Sequence, residues 1–269
     1  IGVSHIEQLK TRDGICEEKF HIQDAIHAKD GIVFINGDDA ILNKHKSELR
    51  HRIITFGLGN DNDYFATNIK VKNGGVDFTV NIKNKGSYDA RLNVLGEHNV
   101  RNALVAIAVA ERHGIEVTEA IKALAGYEGV SMRQQITDVN GVTIIDDSYN
   151  ASPDSMKAGI DVLCDYNNNG RKIAVLADML ELGDKSADYH KEVGGYMAEK
   201  KIDELILFGT MAANIGDGFN GSYKLFKKRE EINEYLLKNL KSGDAILFKG
   251  SRGMKLNECV DFLKENYNG

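Results

Sequence analysis

The sequence lacks the features that mark several classes of protein. No apolar stretch reaches the roughly 18 residues that a membrane-spanning helix needs, and the first residues do not have the charged and apolar regions of a signal peptide. The only cysteines, Cys16, Cys164 and Cys259, are far apart and odd in number, which is typical of reduced thiols and predicts a cytoplasmic protein. Because Lys and Arg are scattered in a chain of net charge −6, we expect no nucleic-acid partner. Because no apolar span is found, we expect no membrane partner either.

A phosphate-binding loop of the form Gly-x-x-Gly-Lys-Ser/Thr is also missing. Residues 250–255 (Gly-Ser-Arg-Gly-Met-Lys) resemble one only superficially, since the lysine and the hydroxyl stand in the wrong order. The chain begins without Met, and residues 1–5 look like the end of a strand that runs into a polar turn. We therefore expect a piece of a longer protein, cut inside a domain.

The hydrophobic pattern predicts two successive α/β domains, residues 1–128 and residues 129–269. In the first we expect helices at 13–28, 41–51, 99–113 and 117–125, strands at 31–35 and 53–56, and an antiparallel meander over 64–94 with turns at 73–75 and 84–86. In the second, strands and helices alternate, which predicts a parallel, doubly wound sheet. The expected strands are 142–145, 172–177, 204–208, 223–226 and 245–248, and the expected helices are 154–166, 186–200, 230–240 and 254–266.

Polar residues follow three of these strands. Residues 146–153 (Asp-Asp-Ser-Tyr-Asn-Ala-Ser-Pro) follow strand 142–145, residues 178–183 follow strand 172–177, and residues 249–253 follow strand 245–248. Carboxyl ends of parallel strands share one edge of a sheet, where ligands bind, so these loops predict a crevice. Lys249 and Arg252 beside a helix start at Met254 suit an anionic group, although a solvated pair of charges is the alternative.

A second polar cluster opens the helix predicted at 99–113. Asn99 and Asn102 lie three residues apart, so they share a helix face that continues in small side chains, and an amide suits the edge of an adenine ring. The alternative is that Asn99 only caps the helix. His5, in a turn, and Lys19, on a helix, are weak candidates by themselves, because a lone histidine is more often structural and Lys19 can extend along apolar surface to solvent.

Together these residues resemble the Mur ligases of peptidoglycan synthesis along essentially the whole chain. Residues 96–103 (Gly-Glu-His-Asn-Val-Arg-Asn-Ala) are similar to the family's G-x-H-N-x-x-N-A helix start. Residues 146–156, the loop at 177–183 with His190, and residues 248–252 resemble the branch that adds D-alanyl-D-alanine to UDP-N-acetylmuramoyl tripeptide. The implied fold is a truncated Mur ligase central domain followed by a doubly wound, Rossmann-like C-terminal domain.

The resemblance implies an ATP-dependent ligase that activates the tripeptide carboxylate as an acyl phosphate with ATP and Mg²⁺, and that is a monomer at full length. It implies that His5 is a magnesium ligand and that Lys19 is carbamylated and holds a second magnesium ion. Residues of both domains are expected to contact the nucleotide; they are Asn99, Asn102, Arg133, Asp147, Tyr149 and Asn150. The residues implied to face the dipeptide are Lys249, Ser251 and Arg252.

The chain departs from the family pattern in two respects. The UDP-sugar domain and the phosphate-loop half of the central domain have no counterpart, so we expect the fragment alone to be inactive. Residues 132–134 (Met-Arg-Gln) also replace the usual Pro-Gly-Arg lead-in while keeping an arginine. Two alternatives stay open. The chain could belong to another Mur-family amide ligase, MurE-like or cyanophycin-type, although the Asp-Asn-Pro-Arg motif expected of MurE is absent. It could also be a non-catalytic nucleotide-binding module.

Overall fold

A computed structural model describes residues 1–72 and 74–269, so Asn73 of the predicted turn at 73–75 lies outside the described residues. The chain divides into two compact units. Unit 1 contains Ile1 and Leu9–Glu128, and unit 2 contains Gly2–Gln8 and Gly129–Gly269. The elements up to residue 128 are α1 (Ile6–Leu9), α2 (Arg12–Phe20), β1 (Ile32–Asn36), α3 (Ala40–His45), β2 (Arg52–Gly57), β3 (Tyr64–Lys72), β4 (Gly75–Ile82), β5 (Gly86–Leu92), α4 (Glu97–Arg112) and α5 (Val117–Ala125).

Unit 1 is built on a five-stranded sheet with the order β1-β2-β3-β4-β5. Strands β1, β2 and β3 are parallel, and β3, β4 and β5 form the predicted antiparallel meander. Side chains alternate across a strand, so β1 serves two cores. Val33 and Ile35 pack with Cys16 and Phe20 of α2, whereas Ile32 and Phe34 pack in the core that contains α4 and α5.

Two helices of unit 1 are shorter than the sequence predicts. The helix expected at 13–28 ends at Phe20 and continues as a 3₁₀ turn over His21–Ala25. Ile22, in this 3₁₀ turn, is 66% exposed. The helix expected at 41–51 ends at His45, followed by a 3₁₀ turn over Lys46–Glu48.

The elements of unit 2 after residue 128 are β6 (Gln135–Val139), β7 (Val142–Asp147), α6 (Pro153–Asp165), β8 (Lys172–Ala177), α7 (Ser186–Ala198), β9 (Glu204–Phe208), α8 (Ala213–Phe219), β10 (Tyr223–Phe226), α9 (Arg229–Asn239), β11 (Ala245–Lys249) and α10 (Asn257–Asn266). The six strands have the order β10-β9-β8-β11-β7-β6. Helices α9 and α10 cover one face of the sheet, with Leu236 and Leu263 in the core, and α6 packs on β8 and β11 from the other face. The doubly wound α/β fold is therefore confirmed.

Three details of unit 2 differ from the prediction. Strand β6 was not predicted, and it pairs antiparallel with β7 through the turn Asn140-Gly141, where both residues have positive φ. Helix α8 was not predicted either, because it contains Gly216 and Gly218, which weaken a helical signal. The last helix starts at Asn257 instead of Met254, since Lys255 is left-handed at φ 54° and interrupts the helix.

Candidate nucleotide and acceptor sites

The three predicted strand-end loops of unit 2 do meet at one edge of its sheet. β7, β8 and β11 are neighbouring parallel strands, and their loops share hydrogen bonds. The Ser251 backbone N–H donates to the Asp178 carbonyl at 3.1 Å, and the Leu180 N–H donates to Ser251 Oγ at 2.9 Å. Because Ser251 is only 5% exposed, its hydroxyl mainly fixes the loop after β8, and its own O–H can still donate.

A cavity of about 220 Å³ lies between these loops. The side chains expected to bind ligand that line it are His5, Tyr149, Asn150, Ser251 and Arg252, and the remaining lining residues are Ser4, Ala151, Leu180, Glu181, Leu182 and Gly253. One guanidinium and one carboxylate therefore face a small space with partly apolar walls. Such a space can hold a small ligand that carries charges of both signs.

Asp147 and Lys249 lie beside this cavity as an internal ion pair. Lys249 Nζ is 2.6 Å from Asp147 Oδ2 and also donates to the Asn150 carbonyl at 3.1 Å. Lys249 is 2% exposed and does not line the cavity. Burial lowers the pKa of the Lys249 ammonium, and the neighbouring Asp147 charge opposes that shift. Lys249 therefore contacts Asp147 and the Asn150 carbonyl, and its expected contact with the dipeptide stays a prediction.

Two guanidinium groups lie close to the Tyr149 ring. The Arg133 guanidinium carbon is 4.4 Å from the ring centroid and that of Arg252 is 6.0 Å away, both within the range of a cation–π contact. The Tyr149 N–H donates to the Met132 carbonyl at 3.1 Å. Met132 and Gln134, the residues on either side of Arg133, have positive φ (60° and 54°), a backbone conformation that is uncommon for residues other than glycine.

His5 pairs with an acidic residue that the sequence analysis did not select. His5 Nδ1 lies 2.6 Å from Glu181 Oε2, and both side chains are more than half exposed, at 56% and 52%. When Nδ1 carries the proton, Nε2 has its lone pair free, and metal-binding histidines are commonly oriented by a carboxylate in this way. The position of Glu181 in the loop after β8 was the available signal.

His190 is a buried structural histidine. Its Nε2 accepts from the Met179 N–H at 2.9 Å, and its Nδ1 lies 2.7 Å from the Ser186 carbonyl, to which it donates. Burial lowers the pKa of the imidazole, against smaller opposing effects of the Ser186 carbonyl and Asp178. A neutral His190 therefore shapes the start of the loop after β8. The Asp178 carboxylate fixes the other side of that loop by accepting from the Thr210 and Ala212 N–H groups.

In unit 1, Asn99 and Asn102 lie on the first turns of α4. The helix begins at Glu97 after Gly96, so Asn99 is not the N-cap that the alternative interpretation required. Asn99 Nδ2 donates to the Leu95 carbonyl at 2.7 Å, and Asn102 Nδ2 lies 3.5 Å from Asn99 Oδ1. The two amides therefore share a face, with Asn102 exposed.

A carboxylate of unit 1 that sequence analysis missed, Asp38, organises the loop after β2. It accepts from the Leu58 N–H at 2.6 Å, the Gly59 N–H at 3.0 Å and Asn62 Nδ2 at 2.9 Å. Burial raises the pKa of Asp38, but these hydrogen bonds and the charge of Arg101 outweigh it, so the pKa is lowered overall. The carboxylate lies so close to β2 that a Cβ on Gly57 would meet it at 2.4 Å. The polar sequence Asn-Gly-Asp-Asp directly after β1 was the available signal for Asp38.

The residues expected to hold magnesium fit that role in part. Lys19 lies exposed on α2, where carbon dioxide can reach it, and His5 has a free ring nitrogen in the tautomer described above. In the described residues, 1–72 and 74–269, no group of three or more His, Cys, Asp or Glu side chains could hold a metal ion. Magnesium usually keeps several waters and binds substrate phosphates as well, so few protein ligands suffice.

The described part of the chain also contains no helix that is long and apolar enough to span a membrane.

Comparisons with known proteins agree with this geometry. Residues 1–110 match the Mur ligase middle domain and residues 132–252 match the Mur ligase glutamate ligase domain. The UDP-N-acetylmuramoyl-tripeptide–D-alanyl-D-alanine ligase of Bacillus subtilis is 37% identical over 99% of this chain and 58% of its own length. The Haemophilus influenzae ligase of the same name is 31% identical over 98% of this chain and 58% of its own length.

Solved structures give the same result. A crystal structure of MurF from Acinetobacter baumannii has a TM-score of 0.87 at 31% identity and covers 99% of this chain, which spans 58% of that protein. MurF from Thermotoga maritima in complex with ADP has a TM-score of 0.86 at 26% identity, with 99% and 60% covered. The chain thus spans less than two thirds of these relatives. With both domain families matched in order and the same fold as solved MurF proteins, the chain belongs to the Mur ligase family.

Proposed function

We propose that this chain is the C-terminal part of the central domain, together with the C-terminal domain, of an ATP-dependent ligase that joins D-alanyl-D-alanine to UDP-N-acetylmuramoyl tripeptide. The observation that carries the proposal is the similarity to ligases of that name over 98–99% of the chain. We place the reaction in the cytoplasm, consistent with three free cysteines, and expect the complete enzyme to be a monomer.

The unit 2 cavity is the proposed acceptor site. Its volume of about 220 Å³ and its partly apolar walls, which include Ala151 and Leu180, suit a dipeptide with two methyl side chains. The Arg252 guanidinium would bind the terminal carboxylate of the dipeptide through paired N–H groups. The Ser251 hydroxyl would donate one further hydrogen bond. Glu181, which faces the same space, would accept from the dipeptide amine.

The nucleotide is proposed to contact residues in each unit. On α4, Asn99 and Asn102 present amide donors and acceptors that suit the edge of adenine. In unit 2, Tyr149 offers an aromatic ring that is 42% exposed, with Arg133 stacked on it and Asn150 beside it. Asp147 completes the set that the resemblance implies, and its Oδ2 pairs with Lys249.

The chemistry follows from these roles. The tripeptide carboxylate oxygen attacks the γ-phosphorus of ATP, ADP leaves, and an acyl phosphate forms. The dipeptide amine then attacks the acyl carbon, the amine loses a proton, and inorganic phosphate leaves as the amide forms. His5 would be a ligand of one magnesium ion and carbamylated Lys19 would hold a second, and these ions would neutralise charge on the phosphates. The contribution of unit 2 would be to hold the dipeptide amine in position for its attack.

A second candidate is another amide ligase of the same family. The discriminating feature is the acceptor, because MurE-like enzymes would take a free amino acid in place of a dipeptide. The cavity favours neither by volume alone, but an Asp-Asn-Pro-Arg acceptor motif does not occur in the sequence. Comparing D-alanyl-D-alanine with single amino acids as the acceptor decides between them.

The experiment is a phosphate-release assay on the product of the complete open reading frame that contains these residues. With ATP, magnesium and UDP-N-acetylmuramoyl tripeptide present, D-alanyl-D-alanine should stimulate release. Arg252→Met should raise the KM for the dipeptide about 10- to 100-fold, as expected for about 1.5–3 kcal/mol of charge-assisted hydrogen bonding, with little change in the KM for ATP. Arg229→Met, which removes an arginine paired with Glu258, is the control. No stimulation by the dipeptide would overturn the proposal.

A further inference from the structure

The connection between β7 and α6 is a short turn with little freedom in this structure. β7 ends at Asp147 and α6 is capped by the Ser152 side chain, so only residues 148–151 lie between strand and cap. The Ser148 N–H and hydroxyl both donate to Asp146 Oδ1, at 3.1 and 2.5 Å. The Tyr149 N–H donates to the Met132 carbonyl, and the Ala151 N–H donates to Asn150 Oδ1.

One ammonium group joins the two ends of this turn. Lys249 pairs in register with Asp147 across the β7–β11 ladder, and its Nζ binds both the Asp147 carboxylate and the Asn150 carbonyl. Tyr149, between those two residues, is directed outward and is 42% exposed, whereas Lys249 is 2% exposed. Lys249 thus contacts the base of the turn, and the turn presents Tyr149 and Asn150 to the cavity.

Helix α6 encloses this contact. An added Cβ at Gly159 would lie 3.0 Å from Lys249 Cδ and 3.2 Å from Asp147 Oδ2. The helix backbone therefore approaches the ion pair closely and keeps water away from it. A charged pair in such a place contributes little net stability compared with a matched neutral pair, although loss of one partner alone is costly.

We infer that Lys249 is a positioning residue, whose buried ammonium sets the conformation of the turn that carries Tyr149 and Asn150 into the ligand cavity. The inference rests on the proposed function for its kinetic consequence, but its structural consequence can be measured without any substrate. It assigns Lys249 an indirect role through the turn, in place of a direct contact with the dipeptide.

The experiment compares Lys249→Met, Asp147→Asn and the double variant Asp147→Asn/Lys249→Met in the product of the complete reading frame. Lys249→Met leaves Asp147 buried without its cation and should lower the Tm by roughly 10 °C. The double variant is neutral and should recover most of that loss. Lys200→Met is the matched control, since Lys200 pairs with Asp161 at 2.7 Å in the same unit but at the surface.

Hydrogen exchange of the amides of residues 148–152 is the decisive measurement. In Lys249→Met and in the double variant these amides should exchange at least roughly tenfold faster, a loss of about 1.4 kcal/mol of local protection. The KM for the dipeptide should rise by a similar factor in Lys249→Met relative to wild type. It should rise equally in the double variant relative to Asp147→Asn. Lys200→Met should change neither quantity.

Recovery of exchange protection and KM together with the Tm in the double variant would show that Lys249 is only structural, and it would overturn the inference. If exchange is faster in Lys249→Met but the wild-type enzyme does not respond to D-alanyl-D-alanine, the positioning role stands and the proposed function is refuted instead. Unchanged exchange in Lys249→Met would refute the positioning role directly.

Discussion

The buried His190 should make unit 2 lose stability as the pH falls below neutrality. The side chain is fully buried, and its hydrogen bonds require the neutral form with the proton on Nδ1. A proton on Nε2 would face the Met179 N–H and break that bond. Since burial lowers the pKa of His190 in the folded protein, the unfolded chain takes up a proton at higher pH, near the ordinary histidine value of about 6.5.

The sign of the effect follows from linkage. Above about pH 7.5 neither state binds this proton, and the stabilising contribution of neutral His190 is fully present. As the pH falls below about 6.5 the unfolded state gains a proton and the folded state does not, so the free energy of unfolding decreases by up to about 1.4 kcal/mol per pH unit. The decrease continues until the lowered pKa of the folded state is reached.

Two substitutions at His190 separate the hydrogen bonds from the titration. His190→Gln keeps an acceptor for the Met179 N–H but loses the bond to Ser186, and should cost about 0.5–1.5 kcal/mol at pH 8. His190→Phe leaves that N–H buried without its acceptor, which adds about 1–3 kcal/mol. Neither Gln nor Phe titrates at position 190. The difference in the free energy of unfolding between wild type and each variant should therefore shrink as the pH falls from 7.5 to 5.5.

The measurement is denaturant unfolding followed by circular dichroism at each pH. The other histidines titrate in all three proteins and cancel in the difference. If the free energy of unfolding differs between wild type and His190→Gln by the same amount from pH 5.5 to 8, His190 is not held neutral. A smaller loss in His190→Phe than in His190→Gln would contradict the role of the Met179 hydrogen bond.

Three further outcomes are expected. In α7, Gly194→Ala should destabilise the protein by about 1–3 kcal/mol, because its Cβ would lie 2.0 Å from a carbonyl oxygen of α8. Gly195→Ala, whose Cβ would have no atom within 4 Å, should stabilise it by about 0.5–1 kcal/mol. Equal shifts in Tm for the two variants would refute this packing. Asp38→Ala should lower the free energy of unfolding by about 2–4 kcal/mol, since three donors lose their acceptor, and unchanged exchange at Leu58 and Gly59 would contradict it. Ser251→Ala should remove the acceptor of the Leu180 N–H and lower the free energy of unfolding by about 1–2 kcal/mol. Faster amide exchange at Leu180 checks this result.

Sequence analysis predicted most of the fold because the relevant signals are local. The apolar runs at 172–177 and 204–208 coincide with β8 and β9, and the change to a period of two over 64–94 identified the meander. The polar strand ends were found for the same reason, since each loop directly follows its strand. The family resemblance rests on short contiguous strings such as 146–153, and the comparisons confirmed it.

Other features depend on contacts between residues far apart in the chain, which the sequence alone does not order. Two charged residues, Asp147 and Lys249, were both assigned to ligands, yet they neutralise each other across 102 positions because β7 and β11 are adjacent in the sheet. Gly194 and Gly195 are equivalent in sequence, and only the position of α8 distinguishes them. Local pattern determined which segments are strands, helices and polar loops. Tertiary packing decided which polar groups face the cavity and which hold its walls, since burial and pairing are properties of the folded sheet.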